Sequence, residues 1–176
     1  MEIIVRQEKS TDFKVVFELI EKAFRTEEFS DHKEQFLVER LRKSSAFIPE
    51  LSMVAEIENK VVGHILLTKL KIKNDKNEFD SLALAPISVL PDYQRKGIGG
   101  MLIEQSHRKA KELGYKSIIV LGHKEYYPKF GYKQADKFGI ELPFDVPREN
   151  CMVIALTENG LNGVNGIAEY PEEFKE

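Results

Sequence analysis

The chain has 176 residues, 42% of them hydrophobic and 31% charged, with 26 basic against 29 acidic side chains and a formal net charge of −3 at pH 7. That length fills one core and is short for two, so one domain spanning residues 1–176 is expected. The balanced charge argues against a nucleic-acid binder, and the lack of 18 consecutive uncharged apolar residues argues against a membrane span. The opening MEIIVRQEKST has charge inside its apolar patch and does not read as a secretory leader. The single cysteine, Cys151, has no internal partner and lies in the apolar run CMVIALT, which reads as a buried, inert thiol in a reducing, cytoplasmic setting.

In chain order, Glu2 to Arg6 alternates charged and aliphatic residues as a strand does. Ser10 or Thr11 then caps an amphipathic helix carrying Phe13, Val16, Phe17, Ile20 and Phe24. A second helical pattern follows Ser30 or Asp31, with Phe36, Leu37, Arg40 and Leu41 in step, and ends near KSSAFIPE. LSMVAEI and VVGHILLTKLKI, separated by ENK, predict a hairpin in which Gly63 marks a bulge or a close backbone approach. NDKNE turns the chain into a third strand from Phe79 to Leu90. Gly97 to Leu113 has apolar residues at Ile98, Met101, Leu102, Ala110 and Leu113, an outward face of Glu104, His107, Arg108 and Lys111, and Gly114 as a left-handed cap. KSIIVLG reads as a central strand, YYPKFGYKQA as a helical turn into another strand, and CMVIALT as the strand that closes the sheet. The tail ENGLNGVNGIAEYPEEF carries three Asn-Gly turn signals. The fold class is α/β with a single mixed sheet flanked by helices.

The most informative stretch is SVLPDYQRKGIGGMLI, in which a strand turns into a helix through glycines and two cations. Strands on either side of one crossover helix are parallel neighbours, so this junction opens at the carboxyl end of the sheet. The first helical amides have no internal partners and the helix dipole adds partial positive charge, which suits a phosphate. Gly97, Gly99 and Gly100 remove side chains that would hold such a ligand off the backbone, and Arg95 and Lys96 add charge. The spacing fits neither G-x-x-x-x-G-K-[ST] nor G-x-G-x-x-G, since position 102 is Leu. Pro86 cannot donate a ladder bond, so the sheet should open beside it.

Gln94, Gly97 and Gly99 match Q/R-x-x-G-x-G/A, and after the next strand Tyr127, Pro128, Lys129, Phe130, Gly131 and Tyr132 form a second motif. Together these resemble the GNAT superfamily of N-acetyltransferases, in a bacterial branch often called YhbS-like. The likeness covers most of the chain and is weakest from Thr26 to Pro49. It implies the GNAT fold, a sheet splayed between its two parallel central strands, and an acetyl-CoA-dependent N-acetyltransferase acting on an amine of a small molecule or peptide. It further implies that the backbone of Ile87, Ser88 and Val89 pairs with the pantetheine arm. The amides of Arg95, Lys96, Gly97, Ile98, Gly99 and Gly100, behind Gln94, would hold the pyrophosphate. The Val89 N–H would polarise the thioester carbonyl, and Tyr127 would be the general acid.

Tyr126, one residue earlier, is expected in the core or the pocket wall. For the base, His123 lies at the same end of the sheet and has a suitable ordinary pKa, with Glu27, Glu28, Glu125 or a water chain as rivals. His64 and His107 read as structural or solvated. The histidines show no HxH, HExxH or Cys-paired spacing, and no metal is expected. A catalytically inactive acyl-CoA-binding sensor is the alternative function. The acceptor is left open, as is the choice between monomer and homodimer.

Overall fold

A computed structural model describes residues 2–175. Strand β1 (Ile4–Gln7) and a 3-10 turn (Ser10–Asp12) lead into helices α1 (Phe13–Phe24) and α2 (Glu34–Arg42). A meander follows, β2 (Phe47–Ile57), β3 (Lys60–Lys73) and β4 (Glu78–Val89). Helix α3 (Ile98–Glu112) then crosses to β5 (Ser117–Leu121). The remainder supplies the short strands β6 (Lys133–Gln134) and β7 (Ile140–Glu141), then β8 (Cys151–Ala155) and β9 (Gly166–Glu169). The sheet runs β1-β2-β3-β4-β5-β8-β6, with β9 pairing both β3 and β7.

Helices cover both faces. Val16, Leu19 and Ile20 of α1 recur at the spacing of one helical stripe and, with Val38 and Leu41 of α2, bury against Val54 and Leu66. On the other face Leu102 and Ile103 of α3 pack with Ile65 and Leu67. Gly63 permits that approach, since a Cβ there would meet Leu102 Cδ1 at 3.0 Å and Ile98 Cγ2 at 3.1 Å.

Two expectations are corrected. CMVIALT does not close the sheet: β8 lies between β5 and β6, because the residues after the tyrosine motif add an outer edge strand. The tail is not only turns, since β9 pairs Glu169, Ala168 and Ile167 with Lys71, Ile72 and Lys73. Four residues are too few to show a strand period, and this pairing is decided by where the tail returns.

The central parallel pair is short. β4 and β5 are joined only at Ala83↔Ile119 and Leu84↔Val120. Beyond Leu84, β4 stays with β3 through Ile87↔Ile65, Ser88↔His64 and Val89↔Gly63, across a register shift that accommodates Ala85 and Pro86. The sheet therefore splays where Pro86 predicts, and the opening faces the N-terminus of α3.

Candidate active site

Strand geometry sets what the opening offers. The Leu90 N–H donates to the Val62 carbonyl at 2.9 Å, on the β3 side. Alternation then turns the N–H groups of Ile87 and Val89 the other way, toward the splay. The Gln94 side-chain amide donates to the Val89 carbonyl at 3.1 Å, fastening the glycine loop to the strand end.

The loop itself is a run of main-chain donors. Arg95 has φ +64° and Gly97 φ +83°, left-handed conformations that turn successive amides toward one side before α3 begins. Among the described residues no side chain caps α3, and its first internal bond runs from the Met101 N–H to the Gly97 carbonyl at 3.1 Å. The amides of Ile98, Gly99 and Gly100 thus precede any intrahelical partner. A Cβ on Gly99 would meet the Tyr126 hydroxyl at 2.9 Å, so this position is bare because a tyrosine crosses it.

A cleft of about 810 Å³ runs along these groups. Ile87, Ser88, Val89, Gln94 and Arg95 line it, as do Gly97, Ile98, Gly99 and Gly100. Lys96 is not among its lining residues: its ammonium sits 5.3 Å from the Tyr93 ring centroid, as a cation over an aromatic face. His123 lines the cleft and is exposed; its carbonyl accepts from the Tyr126 and Tyr127 N–H groups at 3.1 and 3.4 Å. Of the rival bases, Glu27 lines the cleft whereas Glu28 and Glu125 do not.

Tyr127 of the second motif and Tyr126 just before it both line the cleft. Tyr127 is buried, its ring edge-to-face with Tyr126 and Tyr132 at 5.1 and 5.6 Å, and it lies against Gly122 at the end of β5. Burial raises its phenol well above the ordinary value, so it stays protonated throughout the working pH range. Tyr126 is only partly buried and forms pocket wall, as expected.

The other histidines are placed elsewhere. His64 is fully buried in β3 beside Ser52 and Glu8. His107 does not lie on a solvated face: its Nε2 is 2.9 Å from the Tyr132 hydroxyl, and burial lowers its pKa to about 4. The Cys151 thiol is half-buried, raised by burial, and outside the cleft lining. Among the described residues no group of three His, Cys, Asp or Glu side chains is placed to hold a metal ion.

Sequence reasoning missed Glu34. It opens α2, lines the cleft, accepts a hydrogen bond from the Ser30 hydroxyl at Oε2, and keeps Oε1 buried with no hydrogen-bond partner among the described residues. A glutamate in the first turn of a helix is ordinary in sequence, and only the packing of α2 over the splay sets it apart.

Comparison with known proteins gives a consistent result. Residues 49–134 match the acetyltransferase (GNAT) domain. The chain is 36% identical over 126 residues to the uncharacterized N-acetyltransferase YjhQ of Escherichia coli K12, covering 71% of this chain and 70% of that protein. Among solved structures it resembles the GNAT family acetyltransferase of Brucella melitensis in complex with acetyl-CoA, with a TM-score of 0.81 and 29% identity over 98% of each chain. It also shares the fold of YhbS from Escherichia coli in complex with CoA, with a TM-score of 0.89 and 24% identity over 100% of this chain and 93% of the other.

Proposed function

Given that the chain belongs to the GNAT family of N-acetyltransferases, we propose that it transfers an acetyl group from acetyl-CoA directly to an amine of a small molecule or peptide. The observation that carries this is the splay: unpaired β4 amides and bare α3 amides meet in one cleft with a buried tyrosine. Acetyl-CoA supplies an activated thioester, whose carbonyl carbon forms a bond to the amine nitrogen as its bond to sulfur breaks.

The chain's own residues meet the remaining demands. Amides from Gly97 to Gly100, with Arg95, suit the diphosphate, and Ile87 and Val89 offer strand-like pairing to the linear arm. The Val89 N–H takes the oxyanion role, a donor fixed before charge develops. Tyr127, which lines the cleft, would act as proton donor to the departing sulfur. Its raised pKa, above a thiol value of about 8.5, makes it a hydrogen-bond donor that passes its proton to sulfur as it regains the one lost by the amine nitrogen when the amide forms. An alkylammonium group of pKa about 10.4 must lose a proton before attack, and His123 at the cleft mouth is the base we assign. Cys151 lies outside the cleft lining, which favours direct transfer over a thiol relay.

Thiol release from acetyl-CoA with a panel of amines tests the reading. The native protein should turn over, and Tyr127→Phe should lower kcat by about 10²-fold with little change in KM for acetyl-CoA. Tight acetyl-CoA binding without turnover on any amine would instead identify an acyl-CoA sensor. An acetylated Cys151 trapped during turnover would replace direct transfer with a relay.

A further inference from the structure

Behind the acyl cleft lies a second chamber of about 340 Å³. It shares Glu34, Leu37, Leu84, Ala85 and Leu121 with the cleft, so the two are continuous across the end of the short β4–β5 pair. The volume sits at the lower end of the ~300–1,000 Å³ typical of small-molecule sites. Its far wall is a stack of rings. Phe144 meets Tyr170 edge-to-face at 4.9 Å, and Tyr170 meets Phe174 at 5.1 Å, with Phe29 at the lip. These rings come from the tail and the segment after β7.

The polar content is sparse and uneven. Arg40 is engaged, donating to the Glu173 carbonyl at 3.0 Å, and the Asp31 carboxylate accepts from the Lys33 backbone N–H at 2.9 Å. Asp31 and Lys33 are exposed at the rim, where water screens them. Glu34 differs: it lines both chamber and cleft, its Oε2 is held by Ser30, and its Oε1 is buried with no partner among the described residues. A shielded carboxylate oxygen without a donor is unfavourable, and an ammonium group in the cavity satisfies it in both charge and hydrogen bonding once the half-buried side chain turns to meet it.

We infer that the acceptor is a small primary amine bearing an aromatic or compact apolar group, its ammonium seated on Glu34 and its apolar body against the Phe144–Tyr170–Phe174 wall. This rests on the acetyltransferase reading of the adjoining cleft. Glu34 captures the charged amine at the junction, and the rings select what is attached to it. Polyamines are disfavoured because the other carboxylate lining the chamber, Asp31, is exposed at the rim and already accepts from the Lys33 N–H, which leaves a second cation without a shielded partner. Peptide N-termini are disfavoured because a wall of aromatic rings suits a compact apolar body and offers little hydrogen bonding to the amides of an extended chain.

Phenethylamine, spermidine and an alanine-initiated hexapeptide, each offered with acetyl-CoA to the full chain, separate the cases. Phenethylamine should show at least 10-fold higher kcat/KM than either of the others. Glu34→Gln should raise its KM by 10- to 100-fold while leaving the KM of acetyl-CoA within about 2-fold. Leu121→Trp, which fills the chamber from a partly exposed position, should raise the phenethylamine KM with unchanged thermal unfolding, a check should Glu34→Gln fold poorly. Calorimetry of phenethylamine with the CoA-loaded protein reads the chamber without turnover. Binding lost in Glu34→Gln supports the inference even if no acetylation occurs, an outcome that would sink the enzyme reading alone. Preference for spermidine or the peptide, or phenethylamine binding indifferent to Glu34→Gln, overturns the inference and leaves the acetyltransferase standing.

Discussion

Gly122 illustrates how one residue governs the cleft. Its N–H donates to the Asn150 carbonyl and its carbonyl accepts from the Asn150 side-chain amide, each at 2.9 Å, so its backbone is held on both sides. A Cβ there would lie 2.3 Å from Cε2 of Tyr127. With the backbone fixed, the ring must yield. Gly122→Ala should therefore displace Tyr127, costing about 1–3 kcal/mol of stability as an overpacked site and lowering kcat more than the KM for acetyl-CoA. Thermal unfolding and steady-state kinetics read the two effects separately. A normal kcat in a destabilised variant would show that the tyrosine's position is immaterial to the chemistry.

At the scale of the element, the N-terminus of α3 is built from glycines with different reasons for being there. Gly97 sits at φ +83° with open space where a side chain would go, so its constraint is conformational. Gly100 has helical backbone, and a Cβ would find only ordinary contact with Phe130 at 3.5 Å. Substitution should split accordingly. Gly97→Ala should destabilise by about 1–2 kcal/mol, the cost of a left-handed alanine. Gly100→Ala should stabilise by up to about 1 kcal/mol through helix propensity. Opposite shifts in the urea midpoint check this pair. Gly99→Ala falls in a third class: it pushes on the Tyr126 hydroxyl, and its expected signature is a raised KM for acetyl-CoA.

Across the whole molecule, a buried polar cluster ties α2 to the sheet. Glu8, just after β1, accepts from Arg42 at 2.7 Å and from the Ser52 hydroxyl at 2.8 Å. Since Ser52 donates to Glu8, it accepts from His64 Nε2 at 3.2 Å, leaving His64 Nδ1 as a buried acceptor without a partner among the described residues. Burial lowers the His64 pKa to about 4, outweighing the Glu8 carboxylate, and His107 is lowered to about 4 by burial as well. Both folded values lie below the unfolded value of about 6.5, so the unfolded chain binds protons first as pH falls. Stability from these groups is complete above about pH 6.5 and is lost on descending toward pH 4, at about 1.4 kcal/mol per pH unit for each histidine. Asp12, held below the ordinary carboxylate range by its hydrogen bonds to Arg6, adds a further loss at lower pH. Urea unfolding at pH 7, 6 and 5 should show this decline, with His107→Gln removing about half the slope; a flat profile would mean that neither histidine is shielded as the packing indicates.

Local chemistry made much of this protein readable without coordinates. The Phe79–Leu90 strand and the Gly97–Leu113 helix were legible within a residue or so because period and capping are written into adjacent residues. The opening beside Pro86 was legible for a related reason, since a residue without an N–H cannot continue a ladder. The glycine cradle and the Tyr127 motif could be named because each depends on a short contiguous segment. What depends on distant segments meeting was not legible. The insertion of β8, the pairing of β9 with β3, the withdrawal of His107 from solvent, the turning of Lys96 toward Tyr93, and the placement of Glu34 between two chambers each follow from long-range packing. Sequence by itself thus determined the strand-to-helix junction and the glycines that leave its first helical amides bare, because backbone geometry there is local. Only the tertiary structure decided what faces that junction, because the adjoining cavity walls are assembled from α2, β4, β5 and the tail, whose contacts no local pattern encodes.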